Sequence, residues 1–265
     1  MLRNVLLKTL WEKRKALLWW SLGVFTLGLY LVLFYPSIQK MPELNALMET
    51  IPEPLLKTLV GEYTDFVSPA GYLTTELNLT MAVLFITFAI VHGANLLAAE
   101  EEAGTLEMLL ATPLRRLRVG LEKAAALLVM TAGLTLVLWL ALVIGAVMVD
   151  MEIGWDKLAA LSVMGGLLGL FHGALALGLG AWWGKSGLAG GISAAIALTG
   201  YTWNAMTLLV ERLEPYKVLS PFYYYLANDP ARQGLAVREV GFFLAGSVLF
   251  IAIGLWRFDR RDLRV

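Results

Sequence analysis

The sequence predicts an all-α integral membrane protein with six transmembrane helices and both termini in the cytoplasm. Three observations lead to this prediction: an apolar composition, six long stretches without charge, and an uneven distribution of basic residues. Of the 265 residues, 58% are hydrophobic, 16% are charged and nine are tryptophan. Because this composition lies outside the range of soluble domains, we expect a single transmembrane domain over residues 1–265.

Each stretch without Asp, Glu, Lys or Arg is long enough to cross a bilayer as a helix. A helix needs about 20 apolar residues to span roughly 30 Å of hydrocarbon, whereas a tilted barrel strand needs only about 10 residues of alternating character. Continuous apolar stretches therefore favour helices, whose backbone groups are satisfied within the segment. The predicted spans are about 16–35, 77–99, 124–149, 158–182, 188–210 and 238–256, the last being free of charge from residue 240.

The charges fix the expected orientation. With six spans, both termini and the connections at 100–123 and 183–187 fall on one side of the membrane. That side carries 14 basic against 8 acidic residues, a formal charge of +6, and the other side carries 7 against 13, or −6. Cytoplasmic loops of membrane proteins are enriched in Lys and Arg, so we expect the first side to face the cytoplasm.

The segment before the first span has two interpretations of equal weight. Leu2, Val5, Leu6 and Leu10 recur at helical spacing with cations between them, which is typical of a helix lying in the inner interface of a membrane. An ordinary flank of the first span would have the same pattern. The predicted fold includes the N-terminal interfacial helix.

The spans contain none of the groups that gradient-driven transport usually needs. A carrier coupled to protons or sodium normally holds an ionisable group inside the membrane, and the six spans contain no Asp, Glu, Lys or Arg. The chain has no cysteine, which excludes disulfides and thiolate metal sites. If the protein moves a molecule uphill, we expect the energy to come from outside the bilayer.

A few polar side chains within the spans are candidates for a substrate path. His92 in the second span and His172 in the fourth could lie at the same depth, as a polar pair beside the path or as histidines bonded to a neighbouring helix. The candidate path residues are His92, Asn95, His172, Tyr201 and Asn204. The rest of such a path would be lined by apolar and small residues, which weakly favours a lipophilic or amphiphilic cargo.

Two glycine patterns concern packing and nucleotide binding. Gly165, Gly169 and Gly173 are four residues apart, which lets two helices approach closely within one subunit or between two. Gly184-Lys185-Ser186 resembles the end of a phosphate-binding loop, but that loop needs a glycine at position 179, which is Leu. We therefore expect a tight cytoplasmic turn there. No connection is long enough for an ATPase domain, so ATP would be hydrolysed on another chain.

The most informative segment is EEEAGTLEMLLATPLRR, residues 100–116, between the second and third spans. Gly104 is expected to end the helix, Thr105 to act as an N-cap, and Glu107 to lie in the first turn of a short helix. The apolar face of that helix would comprise Leu106, Leu109, Leu110 and Pro113. Three glutamates at a helix C-terminus are unfavourable, which suggests that they are reserved for a partner.

This segment resembles the E-x-x-x-G-T-L-E-x-L-L-x-[AT]-P-x-x-R pattern of permease subunits of ABC-2 type transporters. The positions in register are Glu100, Gly104, Thr105, Leu106, Glu107, Leu109, Leu110, Pro113 and Arg116. Glu101 and Glu102 complete the predicted ATPase-coupling set. The resemblance implies a non-enzymatic transport subunit, an exporter of a prokaryotic plasma membrane, with a short coupling helix docked on a cytosolic ATPase.

The same resemblance implies the partners. ATP and Mg²⁺ would be bound by the ATPase, with no cofactor on this chain. A second permease copy, or a related permease, would pair with it in the membrane lipid, and nucleic acid is not an expected partner. The alternative is a non-transporting scaffold or sensor that recruits a cytosolic partner through residues 100–116. In the connections on the non-cytoplasmic side, the sequence predicts short amphipathic helices within 44–59 and an interfacial aromatic belt at 222–225.

Overall fold

The computed structural model describes residues 4–40, 67–111 and 114–262, and all regular structure in these ranges is helical. Residues 44–59, for which amphipathic helices were predicted, lie outside the described ranges. The helices are α1 Val5–Gln39, α2 Pro69–Glu102, α3 Thr105–Leu110, α4 Arg116–Met148, α5 Trp155–Trp183, α6 Ser186–Leu209, a 3₁₀ helix Glu211–Leu219, α7 Pro221–Leu226 and α8 Val237–Arg260.

Six long helices coincide with the six predicted spans. Five of them, α1, α2, α4, α5 and α8, are long and apolar enough to cross a membrane. At 24 residues α6 is as long as α8, but its Ser, Thr and Asn side chains lower its mean hydropathy. An all-helical, multi-pass architecture is therefore confirmed, and the sixth span stays a prediction.

The predicted N-terminal interfacial helix is wrong for the described residues. α1 runs without interruption over 35 residues, about 52 Å at 1.5 Å per residue. Nothing between the basic segment and the apolar span breaks it, because Lys, Arg, Glu and Leu all favour helix. Its first turn is fixed to α4, since the backbone N–H groups of Val5 and Leu6 donate to Oε2 of Glu122 at 2.6 and 3.1 Å.

The helices α2 and α5 form the centre of the bundle. Their most apolar stretches are 72% and 78% buried, against 22 to 39% for α1, α4 and α8. Glycines allow the close approach: a methyl group on Gly169 would lie 2.9 Å from the carbonyl oxygen of Phe85, and one on Gly173 would lie 2.8 Å from that of Ala89. The glycine pattern at 165–173 therefore serves packing within one subunit.

One end of the bundle, here called the α3 end, gathers α3, the start of α1 and the end of α8. The chain reaches this end at both limits of its described part, because Val5 bonds Glu122 and Arg261 bonds Glu101. Residues 5 and 261, near the two limits of the described chain, thus lie at the same end of the bundle.

At the opposite end, serine caps and a buried carboxylate organise the connections. Ser68 caps α2 and Ser220 caps α7, each followed by a proline that suits the first helical position. Thr74 donates to Asp229 at 3.2 Å. Burial raises the pKa of the Asp229 carboxyl, although Arg232 lies 3.4 Å from it. Phe222 and Tyr225 are buried, so these aromatics pack inside the protein rather than forming only a lipid-facing belt.

Candidate coupling site and membrane groove

The short helix α3 follows α2 through a sharp turn at Gly104. Gly104 has a φ of 69°, a left-handed conformation that glycine adopts without a steric penalty. Gly104 itself is the N-cap of α3, so the prediction of Thr105 as N-cap is wrong by one residue. Thr105 is the first helical residue, and its hydroxyl donates to the carbonyl oxygen of Glu100 at 3.1 Å. Glu107 lies in the first turn, as predicted.

The two faces of α3 have different surroundings. Leu106 is fully buried, and Leu109 and Leu110 pack against the core of the bundle. The outward face carries Glu107 and Met108, of which Met108 is 68% exposed. The leucines therefore anchor α3 to its own chain, and the surface open to another protein is the face of Met108. Pro113, predicted to belong to the apolar face, lies outside the described residues.

Glu100, the first acid after the predicted second span, forms an ion pair with α4. Its Oε1 lies 2.5 Å from Nζ of Lys123, whose side chain is 2% exposed. The two residues are 23 positions apart in the sequence. This pair joins the end of α2 to the beginning of α4, the helix that follows α3 in the sequence.

Glu101 forms a two-pronged ion pair with Arg261, the residue that follows α8. Nη1 donates to Oε1 at 2.6 Å, and Nη2 donates to Oε2. Both side chains are almost fully buried, at 2% exposed for Glu101 and 7% for Arg261. A methyl group on Gly184 would lie 2.6 Å from Oε1 of Glu101, so glycine at that position leaves the space for the carboxylate.

Glu102 caps the helix α6 from a different element. Its carboxylate accepts from the backbone N–H of Ser186 at 3.1 Å and from the hydroxyl of Ser186 at 2.5 Å. The residue at the N-cap position of α6, Lys185, makes no side-chain cap. A negative charge at a helix N-terminus is favourable, so this bond stabilises α6 and joins it to α2.

These contacts correct the expectation that the three glutamates are reserved for a partner. Each glutamate binds a different segment of the same chain: Lys123 of α4, Arg261 after α8, and Ser186 of α6. Their position at the end of α2 is unfavourable only for an isolated helix. In the folded bundle, two cations and a helix N-terminus offset the charge.

Arg116, the last residue of the sequence pattern, belongs to the same cluster. Its Nη1 donates to the backbone carbonyl of Arg261 at 2.6 Å. Glu101 and the pattern residue Arg116 therefore both contact Arg261, near the C-terminal limit of the described chain. Lys123, Gly184, Ser186 and Arg261 were not predicted as site residues. The excess of cations on this side indicated that glutamates would find partners, but not which ones.

The candidate path residues are only partly brought together. A groove of about 680 Å³ lies between α2 and α6, from Asn95 and Ser186 at the α3 end to Ala82 and Phe222. Its lining includes Asn95 and Tyr201 and is otherwise mostly apolar or small, with Gly187, Gly190, Gly191, Ala194 and Ala197 from α6. His92, His172 and Asn204 are buried and are not among the groove residues of the described structure.

Neither interpretation of the histidines matches the structure. Nδ1 of His92 lies 2.8 Å from the carbonyl oxygen of Phe88, and Nδ1 of His172 lies 2.9 Å from that of Leu168. Each ring thus bonds its own helix, four residues back, rather than a neighbouring helix or the groove. Phe222, at 6.1 Å from the ring of His172 and 5.4 Å from that of Tyr201, lies between His172 and the groove.

A family model described as ABC-2 family transporter protein matches residues 4–263 of the chain. The chain belongs to the ABC-2 transporter family. The resemblance first noticed in 17 residues thus extends over nearly the whole sequence, and the protein is a multi-pass membrane protein of the ABC-2 permease type. A comparison with curated proteins gave no match.

Proposed function

We propose that this chain is the membrane-spanning subunit of an ATP-driven exporter in a prokaryotic plasma membrane. In this proposal α6 is the sixth span, the α3 end faces the cytoplasm, and a separate ATPase subunit supplies ATP and Mg²⁺. The observation that carries the proposal is the construction of the α3 end. A surface helix that a cytosolic protein can reach directly follows three consecutive glutamates, which bond the end of α2 to α4, α6 and the end of α8.

The contacts of α3 define how the ATPase would act. Its docking surface is the outward face with Glu107 and Met108, while the leucines hold α3 to the bundle. A displacement of α3 would then be transmitted to several helices, because buried ion pairs keep the distances between their ends fixed. The residues 100–116 remain the predicted coupling element, with docking assigned to the face opposite to the leucines.

The groove between α2 and α6 is our candidate for the cargo path. Its apolar and small lining suits a lipophilic or amphiphilic molecule, with Asn95 and Tyr201 as its polar points. A second copy of the chain, or a related permease, would close the groove on its open side. The family and the apolar lining of the groove support this assignment.

The docking surface is tested by changing Met108→Ser in the full chain, co-purified with its ATPase. Burying a methionine side chain contributes about 1.5–3 kcal/mol, so we expect the affinity for the ATPase to fall about tenfold or more. The measurement is the dissociation constant of the complex in nanodiscs. The control is Met148→Ser, because Met148 is 63% exposed and ends α4 at its other terminus.

An unchanged affinity of the Met108→Ser variant, with the ATPase still bound, would remove α3 from the docking surface. Stimulation of ATP hydrolysis by an amphiphilic dye separates a transporter from a scaffold. A scaffold would bind the ATPase through the same face and leave its hydrolysis rate unaffected by every dye.

A further inference from the structure

The chain turns inward at Arg261, immediately after the last helix. α8 ends at Arg260, and Arg261 has an extended backbone with φ −88° and ψ 152°. Arg257 and Arg260 lie over the rings of Trp182 and Trp256, at 5.8 and 4.6 Å from the ring centroids. Arg261 instead is buried, at 8% exposed. Three arginines within five residues therefore have two different environments.

Arg261 contacts four helical segments with side chain and backbone. The guanidinium binds both carboxylate oxygens of Glu101 at the end of α2, and its Nε donates to the carbonyl oxygen of Ala181 in α5 at 2.9 Å. The carbonyl of Arg261 accepts from Arg116 at the start of α4. Since Arg261 directly follows α8, one residue joins the ends of α2, α4, α5 and α8.

The chemistry of this arrangement requires arginine. A guanidinium presents its donors in a rigid planar fork that fits a carboxylate with two parallel bonds and leaves Nε for a third acceptor. A lysine ammonium has three rotatable donors on a compact charge and lacks this planar fork. Because the pair is buried, removal of either partner would leave an uncompensated charge. The Glu101–Arg261 pair therefore fixes the direction of the arginine side chain and is costly to break.

We propose that Arg261 is a positioning residue that carries the movement of the coupling segment into the last helix. This inference rests on the proposed function and deepens it. When the ATPase displaces α3, the end of α2 moves, and the Glu101–Arg261 pair moves α8 with it. α6 follows the same displacement by a separate connection, Glu102 to Ser186. The two connections start at adjacent residues of α2, Glu101 and Glu102, and lead to different helices, α8 and α6.

Because the two connections lead to different helices, labels in α8 and α6 distinguish a positioning role of Arg261 from a merely structural one. The chain has no cysteine, so a single cysteine carries an environment-sensitive fluorophore without background. One label replaces Val248 in α8 and the other replaces Ile196 in α6, which are 66% and 42% exposed. The measurement is the fluorescence change when ATP and vanadate trap the complete complex with its ATPase in nanodiscs.

We expect Arg261→Gln to reduce the response of the label at 248 by about fivefold, the lower end of usual allosteric coupling, and to retain the response at 196. Arg260→Gln, the neighbouring control, retains both responses. Arg261→Lys keeps the charge without the fork and gives a smaller loss, again confined to the label at 248. Arg261→Lys carries the test where Arg261→Gln does not accumulate.

Two results would overturn the positioning role while the proposed function stands. One is an undiminished response at 248 in Arg261→Gln, or in Arg261→Lys where the former does not accumulate. The other is an equal loss at both labels, which a general destabilisation would cause. If the unmodified complex hydrolyses ATP without any response at either label, the proposed coupling itself fails, and the role of Arg261 fails with it.

Discussion

The α3 end and the groove between α2 and α6 hold their helices together in opposite ways. At the α3 end, Glu100, Glu101 and Glu102 bind three separate segments through charged hydrogen bonds. In the groove, the same α2 faces α6 across about 680 Å³ lined mostly by small and apolar side chains. Directional bonds fix the distances between helix ends at the α3 end, whereas the groove leaves space between α2 and α6 for a molecule.

The two regions meet at one residue. Ser186 binds Glu102 and also lines the groove. The bond at Ser186 therefore bounds the groove at its α3 end. The α3 end is thus a joint, held by the contacts of Glu100, Glu101 and Glu102, with an opening between α2 and α6 beside it. The buried charges of this joint involve the largest free energies, because breaking a buried pair costs about 3–5 kcal/mol.

The largest effect is expected from Glu101→Gln. The substitution leaves the buried guanidinium of Arg261 without a counter-charge, and breaking a buried pair in this way costs about 3–5 kcal/mol. The measurement is the free energy of unfolding in detergent micelles, followed by tryptophan fluorescence. Glu107→Gln is the control, since Glu107 is exposed on α3. Equal stability of the two variants would contradict a structural role of the joint.

A smaller effect distinguishes glycines of the two regions. Gly184→Ala places a methyl group against Glu101 at a φ of 65°, and such strain costs about 1–3 kcal/mol. Gly191 in the groove has no atom within 4 Å of the added methyl group. Alanine there is expected to leave stability unchanged or to raise it by about 0.5–1 kcal/mol through helix propensity.

Thermal unfolding of both variants measures these two changes in stability in one experiment. A destabilised Gly191→Ala variant would mean that the groove is filled in the assembled protein, for example by a second copy. A fully stable Gly184→Ala variant would mean that the carboxylate of Glu101 moves away without loss. The first result would revise the groove, and the second would revise the joint.

The smallest effect on the fold, and a selective one on transport, is expected from Ala194→Trp. Ala194 lines the groove, and the indole would fill part of it while the ion pairs stay intact. We expect the complex with the ATPase to assemble normally and dye-stimulated hydrolysis to fall about tenfold, equivalent to about 1.4 kcal/mol. Ala195→Trp is the matched control, because Ala195 is exposed but absent from the groove lining. Equal stimulation in both variants would exclude the groove as the cargo path.

Sequence reasoning predicted the coupling segment and its apolar face, but not what that face would contact. The spacing of Leu106, Leu109 and Leu110 predicted one apolar face, and this face exists, packed on the same chain. An apolar stripe on a short helix is buried by whatever surface lies nearest, and periodicity does not reveal which chain provides it. The glutamates were misjudged for a similar reason, since their partners lie 23, 160 and 84 residues away.

By itself, the sequence determined the membrane class and the positions of the long helices, and it predicted the place of the coupling segment. These follow from local properties: runs without charge, glycine and proline at helix ends, and a 17-residue pattern. Only the tertiary structure decided that the leucines of α3 pack on the same chain and that Arg261 binds Glu101. The physical reason is that charged side chains at a membrane surface choose partners by proximity in the folded bundle, which pairs residues that no local pattern connects.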